Sequence, residues 1–171
     1  MAYDVDARAA RDYAEGMSRV VGYTVEAVED HRAAAGESDI IVTCTPARAP
    51  LIGRSDVREG TFIAAVGSDY EDKQELDPSL LSAAKVVVDI LEQCATIGEL
   101  HHAIDAGLMR REDVHAELSD VVSGRMPGRE SEAEVIVFDS TGTALEDVAA
   151  ASLVYERALE RGAGSDVSLG S

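Results

Sequence analysis

The sequence predicts an α/β fold, a partial Rossmann-type doubly wound parallel sheet with helices on both faces. Three observations predict it. Continuous apolar runs occur at 40–43, 62–66, 86–88 (within a strand expected over 85–89) and 135–138, as expected of strands buried on both faces. Stretches with apolar residues at three- and four-residue spacing separate them, so strands alternate with helices as in βαβ units. The runs end in Cys44-Thr45-Pro46, Gly67-Ser68, Asp89 and Asp139-Ser140, and open α/β sheets carry their chemistry at such carboxyl ends.

Taken in order, Met1 to Asp4 reads as the tail of a strand with Asp4 at its carboxyl end. A helix follows over 5–18, carried by Ala9, Ala10, Tyr13, Ala14 and Met17. A short strand is expected at 23–28 and a helical turn at 29–35, stopped by Gly36. The run at 40–43 reads as a central parallel strand, and 54–60 as a polar connection into the strand at 62–66. Asp77-Pro78 opens a helix as N-cap and first helical residue. Helix is also expected over 90–107 and over 112–124, the latter closed by Gly124. The Gly124 to Arg129 turn suits a connector or a phosphate contact. Thr143 and Glu146 form a capping box for a final helix that runs to about Arg161.

Composition narrows the function classes. Thirty-three acidic residues against fifteen basic ones give a net charge of −18, beyond the magnitude of roughly 2–8 usual for a small soluble domain. Such a surface repels nucleic acid and anionic membrane. It suits a halophile's cytosol, where salt screens self-repulsion, or an acidic protein from an ordinary cell with Arg-rich codon usage. The two cysteines, Cys44 and Cys94, are expected to be buried, reduced and inert. The four histidines lack metal-ligand spacing and read as surface or packing residues. No apolar stretch reaches the length of a membrane span and residues 1–20 build no signal-peptide core, so a cytoplasmic protein is expected.

The stretch TFIAAVGSDYEDKQEL at 61–76 focuses the chemistry. An apolar strand breaks at Gly67-Ser68 and then presents Asp69. On spacing alone Asp69 is better read as a turn residue that closes off the strand. The run AAVGSD with Lys73 and Glu75-Leu76, preceded by DIIVTCTP and followed by EVIVFDSTGTALEDVA, resembles the second half of the nucleotide-binding domain in the ornithine cyclodeaminase and mu-crystallin family. The three blocks stand in family order and cover the chain to about Glu160. One departure is Glu71, where the family usually has proline.

This resemblance implies NAD, or NADP, as cofactor and an NAD-dependent ornithine cyclodeaminase-type lyase as the function. In that reaction ornithine yields proline and ammonia through an imine, and the hydride is returned in place. Relatives acting as NAD(P)-dependent alanine dehydrogenases or ketimine reductases supply an alternative, and a non-catalytic remnant or ligand-binding module is another. The resemblance implies Asp69 as the catalytic acid–base. It implies cofactor contacts at Asp4, Cys44, Thr45, Ala65, Val66, Lys73 and Ser140, and a substrate contact at Thr141. From the residues alone, Thr45 is an ordinary strand exit, and Ser140 and Thr141 are capping residues. The implied partners are a small amino-acid substrate and a second copy in a homodimer, with no nucleic acid and no membrane.

In a dinucleotide fold, an acid at the end of the second strand binds ribose about 20 residues after a GxGxxG turn. Here that acid is Asp4, with no room before it for the turn. The sole Gly-x-Gly, Gly162-Ala163-Gly164, has no strand ahead of it. The expected organisation is therefore a truncated Rossmann-like NAD-binding domain with its C-terminal helix over 1–161 and a flexible tail over 162–171, inactive alone.

Overall fold

The computed structural model describes residues 1–165 and 167, so positions 166 and 168–171 of the expected tail lie outside the described residues. Residues Met1–Thr141 form one compact unit, and those from Gly142 on form another.

The first unit is built on a five-stranded, all-parallel sheet with helices on both faces. Its strands are β1 (Ile40–Thr43), β3 (Phe62–Ala65), β7 (Ile136–Asp139), β5 (Lys85–Val88) and β6 (Ala116–Glu117), in that spatial order. Parallel neighbours require crossover connections, which the intervening helices supply. The register is continuous across the middle: Ala65 pairs with both Thr43 and Asp139, and Val88 with both Asp139 and Glu117. Ile63, Ala65, Val86, Val88 and Val137 are buried with Leu76, Leu80, Leu81 and Leu100 in one core. Each such leucine is worth about 1.5–3 kcal/mol of transfer free energy.

Helix ends follow the local signals. Helix α1 (Ala7–Val21) starts at Asp6, whose carboxylate accepts the Arg8 and Ala9 amides, and stops at Gly22 in the left-handed region (φ 77°). Helix α3 (Pro78–Ser82) is capped by Asp77 as expected. The second unit, described by itself, is helix α7 (Ala144–Arg161), in which the Thr143 hydroxyl accepts the Glu146 amide.

Several sequence expectations are corrected. Strand β1 is a strand but not a central one: it lies at the sheet edge among the described residues, with Ile40 and Val42 exposed. An apolar run reports what a strand could bury, not how many neighbours it has. The strands expected at 1–4 and 23–28 reduce to a single bridge between Ala2 and Ala27. Gly36 does not stop its helix, since α2 (His31–Glu37) continues to Ser38, whose hydroxyl bonds back to the Ala34 carbonyl at 2.7 Å. The helix expected over 90–107 is two helices, α4 (Leu91–Ile97) and α5 (Glu99–Asp105), broken at extended Gly98. The stretch 112–124 holds a 3₁₀ turn, then β6 and the short α6 (Leu118–Val122). A two-stranded parallel ribbon of β2 (Arg48–Ile52) and β4 (Gln74–Leu76) occupies segments that carry no apolar alternation.

Candidate active site

Because all five strands run the same way, their exits share one edge of the sheet. Backbone bonds continue past the strand ends: the Val66 amide donates to the Thr43 carbonyl at 2.9 Å, and the Ser140 amide to the Ala65 carbonyl at 2.9 Å. The Asp89 amide reaches the Asp139 carbonyl at 3.2 Å. Cys44 and Thr45, Ala65 and Val66, Ser140 and Thr141, and Asp89 therefore stand in a row. Asp4 is not in that row but lines, with Thr43, Cys44 and Thr45, a cleft of about 740 Å³ beside β1. Thr43 carries a buried hydroxyl with no hydrogen-bond partner among the described residues. Cys44 is exposed, contrary to the sequence expectation, because Thr43 takes the inward position at the strand end.

Beyond β3 the chain folds into a tight loop. The buried Ser68 hydroxyl donates to the Lys73 carbonyl at 2.7 Å, and the same carbonyl lies 2.7 Å from His102 Nε2. Burial pushes the His102 imidazole below its ordinary pKa, against the pull of that carbonyl, so the neutral ring with Nε2–H is favoured. The loop turns Lys73 Nζ onto Asp69 Oδ1. Hydrogen bonding by Lys73 holds the Asp69 carboxyl below the usual carboxylate range.

Four carboxylates beneath this edge, Asp89, Asp139, Glu99 and Glu75, are buried, which the sequence pattern does not reveal. Asp89 follows β5. Its Oδ2 accepts from Ser140 Oγ at 3.1 Å and the Thr141 amide at 2.8 Å, and its Oδ1 accepts from Cys94 Sγ at 3.0 Å. Burial pushes its pKa up, but the bonds from Cys94, Ile90, Thr141 and Ser140 outweigh it and the net shift is downward. Gln93 Nε2 donates to Thr141 Oγ1 at 2.8 Å, which fixes that hydroxyl from a second side. Cys94 is buried as expected, and burial, reinforced by the Asp139 charge, raises its thiol pKa far out of the reactive range.

The other three form a chain of side chain to backbone links. Asp139 accepts the Glu99 and Leu100 amides at 3.1 and 2.9 Å, at the start of α5. Glu99 accepts the Glu75 and Leu76 amides at 2.7 and 3.0 Å. Glu75 Oε1 accepts the Thr45 amide at 2.6 Å and the Thr45 hydroxyl at 2.7 Å, while Oε2 accepts the Gly67 amide at 3.0 Å. Burial pushes the Glu99 carboxyl up to about 8 and the Asp139 carboxyl up to about 7, only partly offset by the amides they accept. A sequence signal existed in two glycines. A Cβ on Gly67 would meet the Glu75 carboxyl carbon at 2.5 Å, and one on Gly98 would meet Asp139 Oδ2 at 2.6 Å. Neither glycine has positive φ, so close approach of a carboxylate is what excludes a side chain.

Among the described residues no group of three His, Cys, Asp or Glu side chains could hold a metal ion, and no helix is long and apolar enough to cross a membrane.

The family model of the ornithine cyclodeaminase/mu-crystallin family matches residues 1–162. The chain belongs to this family. Within it, the alanine dehydrogenase of Archaeoglobus fulgidus is 43% identical over 167 residues, covering 97% of this chain and 51% of that protein. The solved Δ1-pyrroline-2-carboxylate reductase of Thermococcus litoralis, in complex with NADH and L-proline, superposes with a TM-score of 0.92 at 37% identity. That match covers 96% of this chain and 51% of the other. A lysine cyclodeaminase structure, solved for its recognition of L-lysine, L-ornithine and L-2,4-diaminobutyric acid, superposes at 0.79 with 31% identity, over 98% of this chain and 47% of the other. The chain thus spans about half the length of these relatives. The family holds cyclodeaminases together with dehydrogenases and reductases.

Proposed function

We propose that this chain carries the nicotinamide side of a site that moves a hydride between NAD and the α-carbon of a small amino acid, or of the matching imine, as a dehydrogenase or reductase. The observation that carries this reading is that the Asp69–Lys73 pair, Thr45 and the Ser140-Thr141 exit all follow strands that end at one sheet edge. The cleft beside β1 also fits. Its volume of about 740 Å³ lies within the range of roughly 300–1,000 Å³ usual for ligand sites, and Asp4 and Thr45 both line it. An acid at Asp4 favours ribose hydroxyls over an added phosphate, hence NAD over NADP. The net charge of −18 supports a salt-rich cytoplasm as the setting.

The cofactor supplies the hydride acceptor or donor. The residues of this chain supply proton handling and orientation. Asp69 accepts a proton from the substrate amino group as the α-carbon becomes trigonal, and returns it in the reverse direction. With Lys73 bonded to it, Asp69 is a weak base. A ligand that draws the Lys73 ammonium away would remove that bond and let the Asp69 pKa rise towards its task. Thr141, fixed by Asp89 and Gln93, offers its hydroxyl to the substrate, and Ser140 and Val66 border the cofactor.

The likeness to a lysine cyclodeaminase supports a second reading, in which the hydride is returned and ornithine closes to proline with loss of ammonia. One experiment separates the two. Dehydrogenase chemistry accumulates NADH from NAD and an amino acid, whereas cyclisation releases ammonia with no net NADH. In either case Asp69→Asn is expected to lower kcat by about 10²- to 10⁴-fold while NAD affinity is retained. Turnover equal to the parent protein refutes the assignment of Asp69. No saturable NAD signal and no turnover on a panel of α-amino acids would leave a non-catalytic, ligand-binding module as the reading.

A further inference from the structure

We propose that Glu75 is a positioning residue for this site, one carboxylate that sets both the cofactor-side turn at Thr45 and the loop that presents Asp69. The inference rests on the hydride-transfer reading for the meaning of those two loops, and on geometry alone for the coupling between them.

Four features make the case. Glu75 is fully buried, although it closes an acidic run, Glu71, Asp72 and Glu75, whose other two members are exposed. Its two oxygens are divided between two strand exits. Oε1 takes both donors of Thr45, after β1, and Oε2 takes the amide of Gly67, after β3. The Gly67 position propagates locally, since the Asp69 amide donates to the Gly67 carbonyl at 3.2 Å and Ser68 ties the loop to the Lys73 carbonyl. The side chain also cannot drift, because its own strand is clamped from below: Glu99 accepts the Glu75 and Leu76 amides, and α5, which carries Glu99, is anchored by Asp139. A buried carboxylate held at 2.6–3.0 Å by donors from two separate loops makes their spacing a single quantity.

Glutamine at this position keeps one carbonyl oxygen and replaces the other with an NH₂ group, which cannot accept. Glu75→Gln therefore serves one loop and releases the other. The first measurement is amide hydrogen exchange of the protein without ligand, read against urea stability to separate local from global opening. Either Thr45 or Gly67 is expected to exchange about 10- to 100-fold faster, as loss of a charge-assisted bond implies, with Val88 and Val137 in the core unchanged. The second measurement is steady-state kinetics. If Gly67 is the released amide, kcat falls with the NAD KM held. If Thr45 is released, the NAD KM rises first. General destabilisation would move neither constant selectively.

Should Glu75→Gln not fold, Gly67→Ala asks the same question with Glu75 present, since its Cβ would occupy the place of the Glu75 carboxyl, 2.5 Å from Cδ. The carboxyl must then leave, and Thr45, on a different strand exit, is expected to lose protection. An unchanged Thr45 amide in Gly67→Ala overturns the proposal. So do Thr45 and Gly67 amides that both stay protected in Glu75→Gln. If the parent protein turns over no amino acid with NAD, the functional reading fails, while the amide data still decide whether Glu75 couples the two turns.

Discussion

The stability of this fold should fall as pH rises through neutrality, and Glu99 is the main cause. Its carboxyl is 1% exposed, accepts two backbone amides and lies near the carboxyls of Asp139 and Glu75. Burial first, and those neighbouring charges next, push its pKa from 4.5 to about 8. A carboxyl whose folded pKa exceeds its unfolded one binds its proton more tightly in the native state. Its contribution to stability is complete below pH 4.5 and is lost as pH rises to about 8. Asp139, raised from 3.8 to about 7, acts in the same direction. The lowered pKa values of Asp69, Asp77 and Asp89 act only below 3.8, and the lowered His102 acts mainly below 6.5. From pH 6.5 to 8 the buried pair dominates the slope, with the last of the His102 titration opposing it at the lower end. At about 1 kcal/mol per pH unit, a loss of roughly 1–2 kcal/mol is expected across this interval, a sizeable share of the ~5–15 kcal/mol that holds a domain together. Urea unfolding at pH 6.5, 7.2 and 8.0, at fixed high salt to screen self-repulsion, measures it. Glu99→Gln should be less stable at pH 6.5, because its amide faces one backbone N–H, but its slope with pH should be shallower. A wild-type stability that is flat or rising over this interval, or a variant that keeps the full slope, refutes the reasoning.

Two further predictions concern packing and accessibility. Gly98→Ala drives a Cβ to 2.6 Å from Asp139 Oδ2 and should cost about 1–3 kcal/mol in urea. Gly36→Ala meets only the Asp56 carbonyl at 3.6 Å, inside α2, and should stabilise by up to about 1 kcal/mol. A reversed order of the two midpoints contradicts the assigned role of the Asp139 carboxyl. Native protein should take up one equivalent of maleimide, at exposed Cys44, and a second only on unfolding, when Cys94 is uncovered. Under the proposed function NAD slows the first reaction, and rapid labelling of both thiols in the native state would show that the floor beneath Asp89 opens.

The amino-acid sequence by itself determined the parallel α/β class, the strands at Ile40, Phe62, Lys85 and Ile136, and the residues at their exits. These are local matters. An apolar run of four or five residues ending in Gly, Asp or Ser marks a strand and its exit whatever its neighbours are. The helix starts at Asp77 and Thr143 were legible for the same reason, since a cap bonds within its own first turn. The family blocks added which exits to associate with a cofactor.

Only the tertiary structure decided which strands adjoin, and with that the edge position of β1 and the exposure of Cys44. It also decided which acids lie inside. Glu71, Asp72 and Glu75 look alike in a solvated run, and Asp89 and Asp139 read as strand exits. Yet Glu75, Asp89, Glu99 and Asp139 are buried, each bonded to backbone amides. Some of these partners are 40 and 52 residues away. A carboxylate is placed inside by donors gathered from distant segments, and no local pattern records those donors. Sequence spacing names the residues along the edge of the site, while long-range packing sets how far apart they stand.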